Sequence, residues 1–503
     1  MSDVALHRQR EIAVAKDGGL PLATANSEKD VPLIVDLDGC LIRSDLLFET
    51  ALAYLSANPL RIWLLVTWLM RGRAHLKRRL AEAAGLDLLL IPINEKVAAY
   101  ARHVYSSGRE VYLATGSDEL LARKIGTRFD FLDGVIASDG NCNLKGRYKS
   151  AELQRRFPQG FDYIGDCNDD LHVWQHSRKA IVVEPDAALR RSVAALQKPT
   201  ETLEHTNSQW SALIKAARLH QWAKNTLVFV PALLSGQIAD LQVLLTCTLA
   251  FLALGLIACG TYLANDLLDL SHDRRHPTKR HRPLASGHLR MQTAVVAIPA
   301  LIGTGLAIGA SIGLYAFVAL LAYLILTLAY SLRIKKVPIL DTVTLAGLFT
   351  LRLVLGIAVA GEAAPWLLVF SMFLFTSLCL AKRCAEIQSM ESTGAVSLSG
   401  RGYLVSDAPF VLSLGLATGT GSILIMVLYL IFDAFRRDFY SNPHWLWAIP
   451  IVLFLWVTRI WLVGHRGKLD DDPVAYAIKD RNSLVLGTLA AGAFVFAWAG
   501  VPL

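Results

Sequence analysis

The chain is short of charge. Only 18% of its 503 residues are Asp, Glu, Lys or Arg, against about 25% in an average soluble domain. Hydrophobic residues make up 53%, and the mean hydropathy is +0.41. These figures exclude a disordered chain, a collagen and a coiled coil, and they are too apolar for an ordinary soluble enzyme of this size. Cysteine is scarce and odd in number: Cys40, Cys142, Cys167, Cys247, Cys259, Cys379 and Cys384, with no pair at zinc-ligand spacing. A disulfide framework and a zinc ribbon are thereby excluded, and free thiols in a reduced compartment are expected. The first residues, MSDVALHRQREIAVAKDGG, lack an apolar h-region, so no cleaved signal peptide is expected. There is no glycine loop for a dinucleotide or ATP, and no internal repeat.

The charge that remains is uneven. Lys and Arg outnumber Asp and Glu by 50 to 42, a net charge of +8. In so apolar a chain this excess is read as basic loops on the cytoplasmic side of a membrane, and no nucleic-acid partner is expected. Residues 1–210 mix charge and hydrophobe as a soluble domain does. From about Ser211 the apolar runs reach the roughly 20 residues that a spanning helix needs. Nine spans are expected: 211–234, 241–263, 291–309, 312–331, 340–360, 365–382, 409–432, 444–463 and 483–501. The first is the weakest, because Lys215, Arg218, Lys224 and Asn225 interrupt it. With the N-terminus inside, the inner loops and Lys382 at their edge hold 16 Lys and Arg, and the outer loops hold two, Arg436 and Arg437. That bias predicts an odd number of spans, a multi-pass protein of the inner or plasma membrane, and a cytoplasmic N-terminal domain. The expected division is a disordered tail at 1–30, an α/β domain at 31–200 with a helical cap at about 45–107, a linker at 201–210, and an all-α membrane domain at 211–503.

The loop after the second run reads ANDLLDLSHDRRHPTKRHRPLASGHLR. On a helix Asp266, Asp269 and Asp273 would share one face, with Asn265 beside them. Carboxylates so placed repel unless a hard cation sits among them, and Mg²⁺ takes oxygen ligands and usually brings phosphate with it. Arg274, Arg275, Lys279, Arg280 and Arg282 follow at once and suit phosphate. Arg352 lies in the middle of an apolar run, where a charge costs at least about 2.5–3.5 kcal/mol. It is expected either to face a polar cavity or to pair with an acid on a neighbouring helix. Lys224 and Lys382 lie near helix ends, where snorkelling is an adequate explanation.

Asn265-Asp266-x-x-Asp269-x-x-x-Asp273-Arg274, with Arg282-Pro283-Leu284, resembles the first aspartate motif of the UbiA superfamily of intramembrane prenyltransferases. The longer DRRHPTKRHRP is most similar to one branch, the polyprenyl-phosphate (decaprenyl-phosphate) phosphoribosyltransferases. RLHQWAKN (Arg218 to Asn225), YSLRIKK (Tyr330 to Lys336), LRLVLG (Leu351 to Gly356), AKRCAE (Ala381 to Glu386), RGY (Arg401 to Tyr403) and DDPVAYAIKDRNS (Asp471 to Ser483) fit the same branch. One departure stands out. The second DxxxD motif usual in the aromatic prenyltransferases is missing, since VPILDTVTLAGL has Asp341 but Leu345 four residues on. The resemblance implies a fold of nine helices, Mg²⁺ on Asn265, Asp266, Asp269 and Asp273, and catalysis through the three aspartates. It implies substrate contacts from Lys224, Arg274, Lys279, Arg282, Tyr330, Lys335 and Arg352. The implied substrates are a polyprenyl phosphate or diphosphate lipid and phosphoribosyl pyrophosphate. Prenyl transfer to an aromatic or other small acceptor is the alternative.

In the polar half, PLIVDLD reads as a buried strand ending in Asp36 and Asp38. EVYLATGS is a second strand ending at Thr115, LKGRYKSAEL offers Lys149 at a helix start, and FDYIGDCNDDLHVW is a third strand ending in Asp166 and Asp170. Strands alternating with helical stretches predict a parallel, Rossmann-like sheet with its site at the strands' carboxyl ends. The four motifs in this order resemble the haloacid dehalogenase superfamily of phosphohydrolases. That resemblance implies Asp36 as nucleophile, Asp38 as general acid and base, and Thr115 and Lys149 on the phosphoryl oxygens. Mg²⁺ would lie on Asp36, Asp38 (through its backbone), Asp166 and Asp170. Ser117 and Lys145 are rivals for the roles of Thr115 and Lys149. The cap contains LRIWLLVTWLM followed by RGRAHLKRR, too short to span a bilayer and expected either inside the cap or on the inner leaflet. Together the halves suggest consecutive reactions, transfer of phosphoribosyl to a lipid phosphate and then removal of its 5-phosphate. A non-catalytic lipid-phosphate carrier is the reading from a different class.

Overall fold

The computed structural model describes residues 31–204, 208–361, 365–393, 401–466, 469, 476–477 and 480–502. The expected tail at 1–30 and most of the DDPVAYAIKDRNS passage lie outside these. The chain divides into two compact units. One runs to Ala212 and includes Leu267–Gln292; the other comprises Leu213–Asp266 and Thr293–Leu503.

The first unit is a six-stranded sheet, parallel throughout: β1 (Leu33–Val35), β2 (Val111–Asp118), β3 (Gly134–Ser138), β4 (Asp162–Gly165), β5 (Lys179–Val183) and β6 (Thr200–Leu203), in the order β3-β2-β1-β4-β5-β6. Alternation along the strands feeds two cores, with Leu33, Val35 and Leu113 on one face and Ile34, Ala114 and Tyr163 on the other. Between β1 and β2 run α1 (Leu46–Ala57), α2 (Ile62–Met70), α3 (Arg73–Ala83) and α4 (Glu95–Ser106). The expected cap at 45–107 is too long, because α4 is part of the sheet's own cover. Its Val97, Ala98, Ala101 and Val104 stripe is buried in the core with Leu33 and Val111. With α5 (Glu119–Gly126) it covers one face, and α6 (Arg147–Arg156) and α7 (Ala187–Ala194) cover the other. The expected linker also begins too early. Thr200–Leu203 alternates exposed and half-buried residues and closes the sheet as its edge strand. The chain lays down β1, β2 and β3 on one side before crossing to β4. The order therefore reverses beside β1, and the carboxyl ends of β1 and β4 flank the crevice where such sheets bind ligands.

The second unit is helical. After α8 (Gln209–Ala216), eight apolar helices among the described residues are long enough to cross a membrane: α9 (Leu241–Leu268), α11 (Met291–Ile312), α12 (Leu314–Leu332), α13 (Leu340–Ala360), α14 (Pro365–Thr393), α15 (Ala408–Phe432), α16 (Ala448–His465) and α17 (Arg481–Ala499). The short α10 (Leu270–Arg275) belongs to the first unit. The ninth expected span, 211–234, is not a single helix. It breaks at Arg218, whose φ of 54° is left-handed, and continues as a 3₁₀ stretch, Leu219–Phe229, and one short helix, Val230–Leu234. Arg218, Lys224 and Asn225 turn inward instead of continuing the run. Asn225 is buried against Arg352 of α13, and Gly356 lacks the side chain that would collide with the Val228 carbonyl.

Candidate active sites

The carboxyl ends of β1, β2 and β4 gather the acids of the first unit. Asp36 follows β1 and is 7% exposed; Lys149, 3% exposed on the first turn of α6, lies 3.0 Å from it and 3.7 Å from Asp170. Tyr163 links the same groups, accepting from Lys149 Nζ at 2.9 Å and donating to Asp170 at 2.7 Å. Asp38 accepts from Leu46 N at 2.8 Å, Ser117 Oγ at 2.6 Å and Thr115 Oγ1 at 3.3 Å. The site thus holds both Thr115 and Ser117, whereas Lys145 points to Asp169 at 2.9 Å and is half exposed. Two groups escaped the sequence reading. Tyr163 sits within its strand with no motif to mark it, and Lys77 arrives from the cap to bond the Gly116 carbonyl and Asn143.

Burial dominates the electrostatics. It raises Asp36 to about 7, helped by Asp170 and Asp38 and opposed by Lys149. Burial and then Asp170 raise Asp166 to about 8, with Arg290 opposing at 3.6 Å. Burial also works against the charge of Lys149, but Asp36 and Asp170 outweigh it and hold the lysine protonated. Carboxylates crowded until they resist ionisation are a fit for a divalent cation with oxygen ligands. The backbone allows the crowding, since Gly39, at φ 78°, leaves room for the Asp166 carboxylate where any side chain would collide. Two neighbouring carboxylates, Asp36 and Asp38, and a buried lysine are groups of the kind that phosphoryl transfer can use.

The loop after the NDxxD sequence also packs in the first unit. The helix breaks at Asp269, so Asn265 and Asp266 end α9 while Asp273 sits on α10. Asp273 accepts from Arg282 at 2.6 Å. Arg274, expected on a substrate phosphate, instead gives both terminal nitrogens to Glu49 of α1 at 3.0 and 2.5 Å and its Nε to the Ala285 carbonyl. Both side chains are buried, at 6% and 3% exposed, and Ser44 also donates to Glu49. Arg275–Asp87, Gln292–Asp45 and Arg43–His288 contacts extend this latch. Lys279 is exposed on the same loop.

The membrane unit holds a cavity of about 280 Å³. Arg218, Lys224, Arg352, Lys382, Arg383 and Arg401 line it together with Asn265, Tyr262, Tyr323 and Tyr330, and no Asp or Glu is among its described lining residues. Arg352 is 5% exposed and bonds Asn225, the Leu348 carbonyl and Tyr323, so its hydrogen-bond partners are neutral and not an acid of a neighbouring helix. The Tyr323 and Phe349 rings flank its guanidinium at 5.2 and 5.1 Å. Asp266 is buried and accepts from Arg218 at 2.5 Å. Asp341, the remnant of the second acidic motif, is fully buried and accepts from Arg383 Nε at 2.9 Å and Tyr403 at 2.6 Å. It orients a cation-bearing side chain. Lys335 lies on a turn after α12 and is not among the lining residues. Arg218, Lys382, Arg383 and Arg401 were not expected as substrate contacts, although RLHQWAKN, AKRCAE and RGY contain them. A second groove of about 560 Å³, lined by Ile325, Leu326, Leu351 and Val354 among others, is apolar and shares α12 and α13 with the cavity.

Residues 226–478 match the UbiA prenyltransferase family. The chain belongs to this family. Among relatives, the uncharacterized protein y4nM of Sinorhizobium fredii is 39% identical over 477 residues, 93% of this chain and 92% of its own, a stretch long enough to include both units. The nodulation protein NoeC of Azorhizobium caulinodans is 34% identical over 290 residues, 56% of this chain and 92% of its own. The decaprenyl-phosphate phosphoribosyltransferase of Mycobacterium tuberculosis (strain ATCC 25618 / H37Rv) is 30% identical over 277 residues, 54% of this chain and 89% of its own. This UbiA-family chain is therefore a membrane-embedded enzyme whose family chemistry accounts for about half its length; the α/β unit is additional.

Proposed function

We propose that the membrane unit transfers phosphoribosyl from phosphoribosyl pyrophosphate to a polyprenyl phosphate. The single observation that carries this is the cavity lining of six Lys and Arg with no described acid. Two anionic substrates must meet for this reaction, and one prenyl diphosphate with a neutral acceptor would need fewer cations. Asp341, which would be half of a second metal motif, is spent on Arg383 and Tyr403. The similarity to a decaprenyl-phosphate phosphoribosyltransferase points the same way. Arg352, Lys224 and Lys382 would hold the lipid phosphate, and the apolar groove would take its chain. A phosphate oxygen of the lipid attacks C1 of the ribose as the C1–O bond to pyrophosphate breaks; the attacking oxygen is already anionic, so no base is required. Asn265 and Asp266 at the end of α9 would hold Mg²⁺, which would offset the charge of the departing pyrophosphate.

The α/β unit, on this reading, is a haloacid dehalogenase-like phosphatase facing the cytoplasm that removes the 5-phosphate. Asp36 attacks phosphorus while Asp38 gives its proton to the leaving 5-oxygen, and Asp38 then takes a proton from the water that hydrolyses the aspartyl-phosphate. Lys149, Thr115 and Ser117 steady the phosphoryl oxygens. Asp36, Asp166, Asp170 and the Asp38 backbone would hold Mg²⁺, which would offset phosphoryl charge. The test is purified protein with Mg²⁺, a polyprenyl phosphate and ribose-labelled phosphoribosyl pyrophosphate. Lipid-soluble label is expected, and Asp36→Asn should leave it 5-phosphorylated. No label, with turnover of a prenyl diphosphate and an aromatic acid instead, would overturn the reading.

A further inference from the structure

We propose that helix α2 of the α/β unit is a membrane-docking element that lies among the headgroups of an anionic bilayer. The sequence left this segment open between a buried cap helix and a surface one; the structure leaves none of its nine residues buried. Leu60, Trp63 and Met70 are 79%, 73% and 83% exposed, and Ile62, Val66 and Leu69 are exposed beside them. The helix is not loose. Its inner side packs on Tyr54, Leu76 and Leu80 through Leu65 and Trp68, with Trp68 5.3 Å from Tyr54 and Arg79 over its outer ring face at 5.6 Å. A folded unit that fixes one face of a helix and presents Trp, Met, Leu and Ile on the other carries a built contact surface. Nine residues, about 14 Å of helix, cannot cross a bilayer but can lie on one.

The occupant is set by charge and by connectivity. Arg71 and Arg73 are exposed directly after the apolar face, and Arg61 precedes it. That is the pairing of apolar anchor and basic flank that an anionic leaflet attracts. The chain also passes from this unit into the membrane unit within helix α11, at Gln292–Thr293, with no linker. A bilayer is thus the apolar surface present at high effective concentration. The docked helix leads into the site. Gly72, at φ 114°, turns the chain into α3, whose Lys77 bonds the Gly116 carbonyl beside Asp38. Such a connection suits a phosphate ester carried on a lipid; this consequence, unlike the docking itself, rests on the proposed phosphatase.

The test uses the full-length protein in nanodiscs of mixed phosphatidylcholine and phosphatidylglycerol. A photoactivatable benzoylphenylalanine replaces Trp63, and the adducts are identified by mass. Lipid adducts are expected as the main product, with phosphatidylglycerol several-fold above its share of the bilayer. Arg71→Glu with Arg73→Glu should remove that preference. Adducts chiefly to a second copy, to residues 1–30, or to nothing but water would overturn the proposal.

Discussion

The two buried polar sites carry opposite charge. In the α/β unit Asp36, Asp166 and Asp170 crowd one lysine, so that burial and mutual repulsion push carboxylates toward neutrality. In the membrane unit six cations surround one cavity, and the acids near it, Asp266 and Asp341, are consumed by arginines. A cluster short of positive charge calls for a metal ion, whereas a cluster with an excess calls for anions. Asp36→Asn separates them most sharply. Loss of the nucleophile should cost the phosphatase at least about 10³-fold, read as phosphate release from the lipid product, while lipid labelling continues at the wild-type rate. Parallel loss of both activities would show that the sites are not separable.

The converse change is Arg352→Met. Removing a buried guanidinium that holds an anion forfeits roughly 1.5–3 kcal/mol, about ten- to a hundredfold in kcat/KM for transfer. Arg352→Lys should recover little, because the planar fork between Tyr323 and Phe349 cannot be mimicked by an ammonium. Hydrolysis of a small soluble phosphomonoester by the same variant should be unchanged. Full activity of the lysine variant would mean that charge alone suffices.

Arg274 tests which site owns the basic loop. Breaking the buried Glu49–Arg274 pair on one side, as in Glu49→Ala, should cost about 3–5 kcal/mol of stability in the α/β unit. Glu49→Met with Arg274→Met should recover most of it. If transfer activity returns with stability in the double variant, Arg274 serves the latch. If it stays lost, the arginine also serves the substrate. The sequence could not pose this question, because the two residues are 225 positions apart. The same limit runs through the rest of the comparison. Asp36, Asp38, Thr115, Lys149 and Asp166 could be placed together from motif order, since a parallel sheet forces strand ends to one edge. The cavity could not, since Arg218, Arg352, Arg383 and Arg401 come from distant segments that only packing unites. Helix count was legible where hydrophobicity is unbroken and failed at 211–234, where Arg218 and Asn225 find polar partners inside the unit and end the run.

The smallest effect expected is also the one that reads the charge difference directly. The unfolded carboxylates would titrate near 3.8, but Asp36 and Asp166 hold their protons to about 7 and 8 in the folded unit. The folded state therefore binds more protons than the unfolded one across that interval. Without metal, stability should fall as pH rises from roughly 4 to 8 and level off above. Mg²⁺ needs the ionised carboxylates and competes with those protons, so its stabilisation should grow across the upper part of the same window. The thermal midpoint of the full-length protein should rise with Mg²⁺ by a few degrees more at about pH 8 than at about pH 6. Asp166→Asn should shrink that pH dependence, leaving only the part that Asp36 carries, and Asp266→Asn, in the site where arginine already neutralises the acid, should leave it intact. An Mg²⁺ shift that is the same at both pH values would show that the acidic cluster of the α/β unit is not where the cation binds.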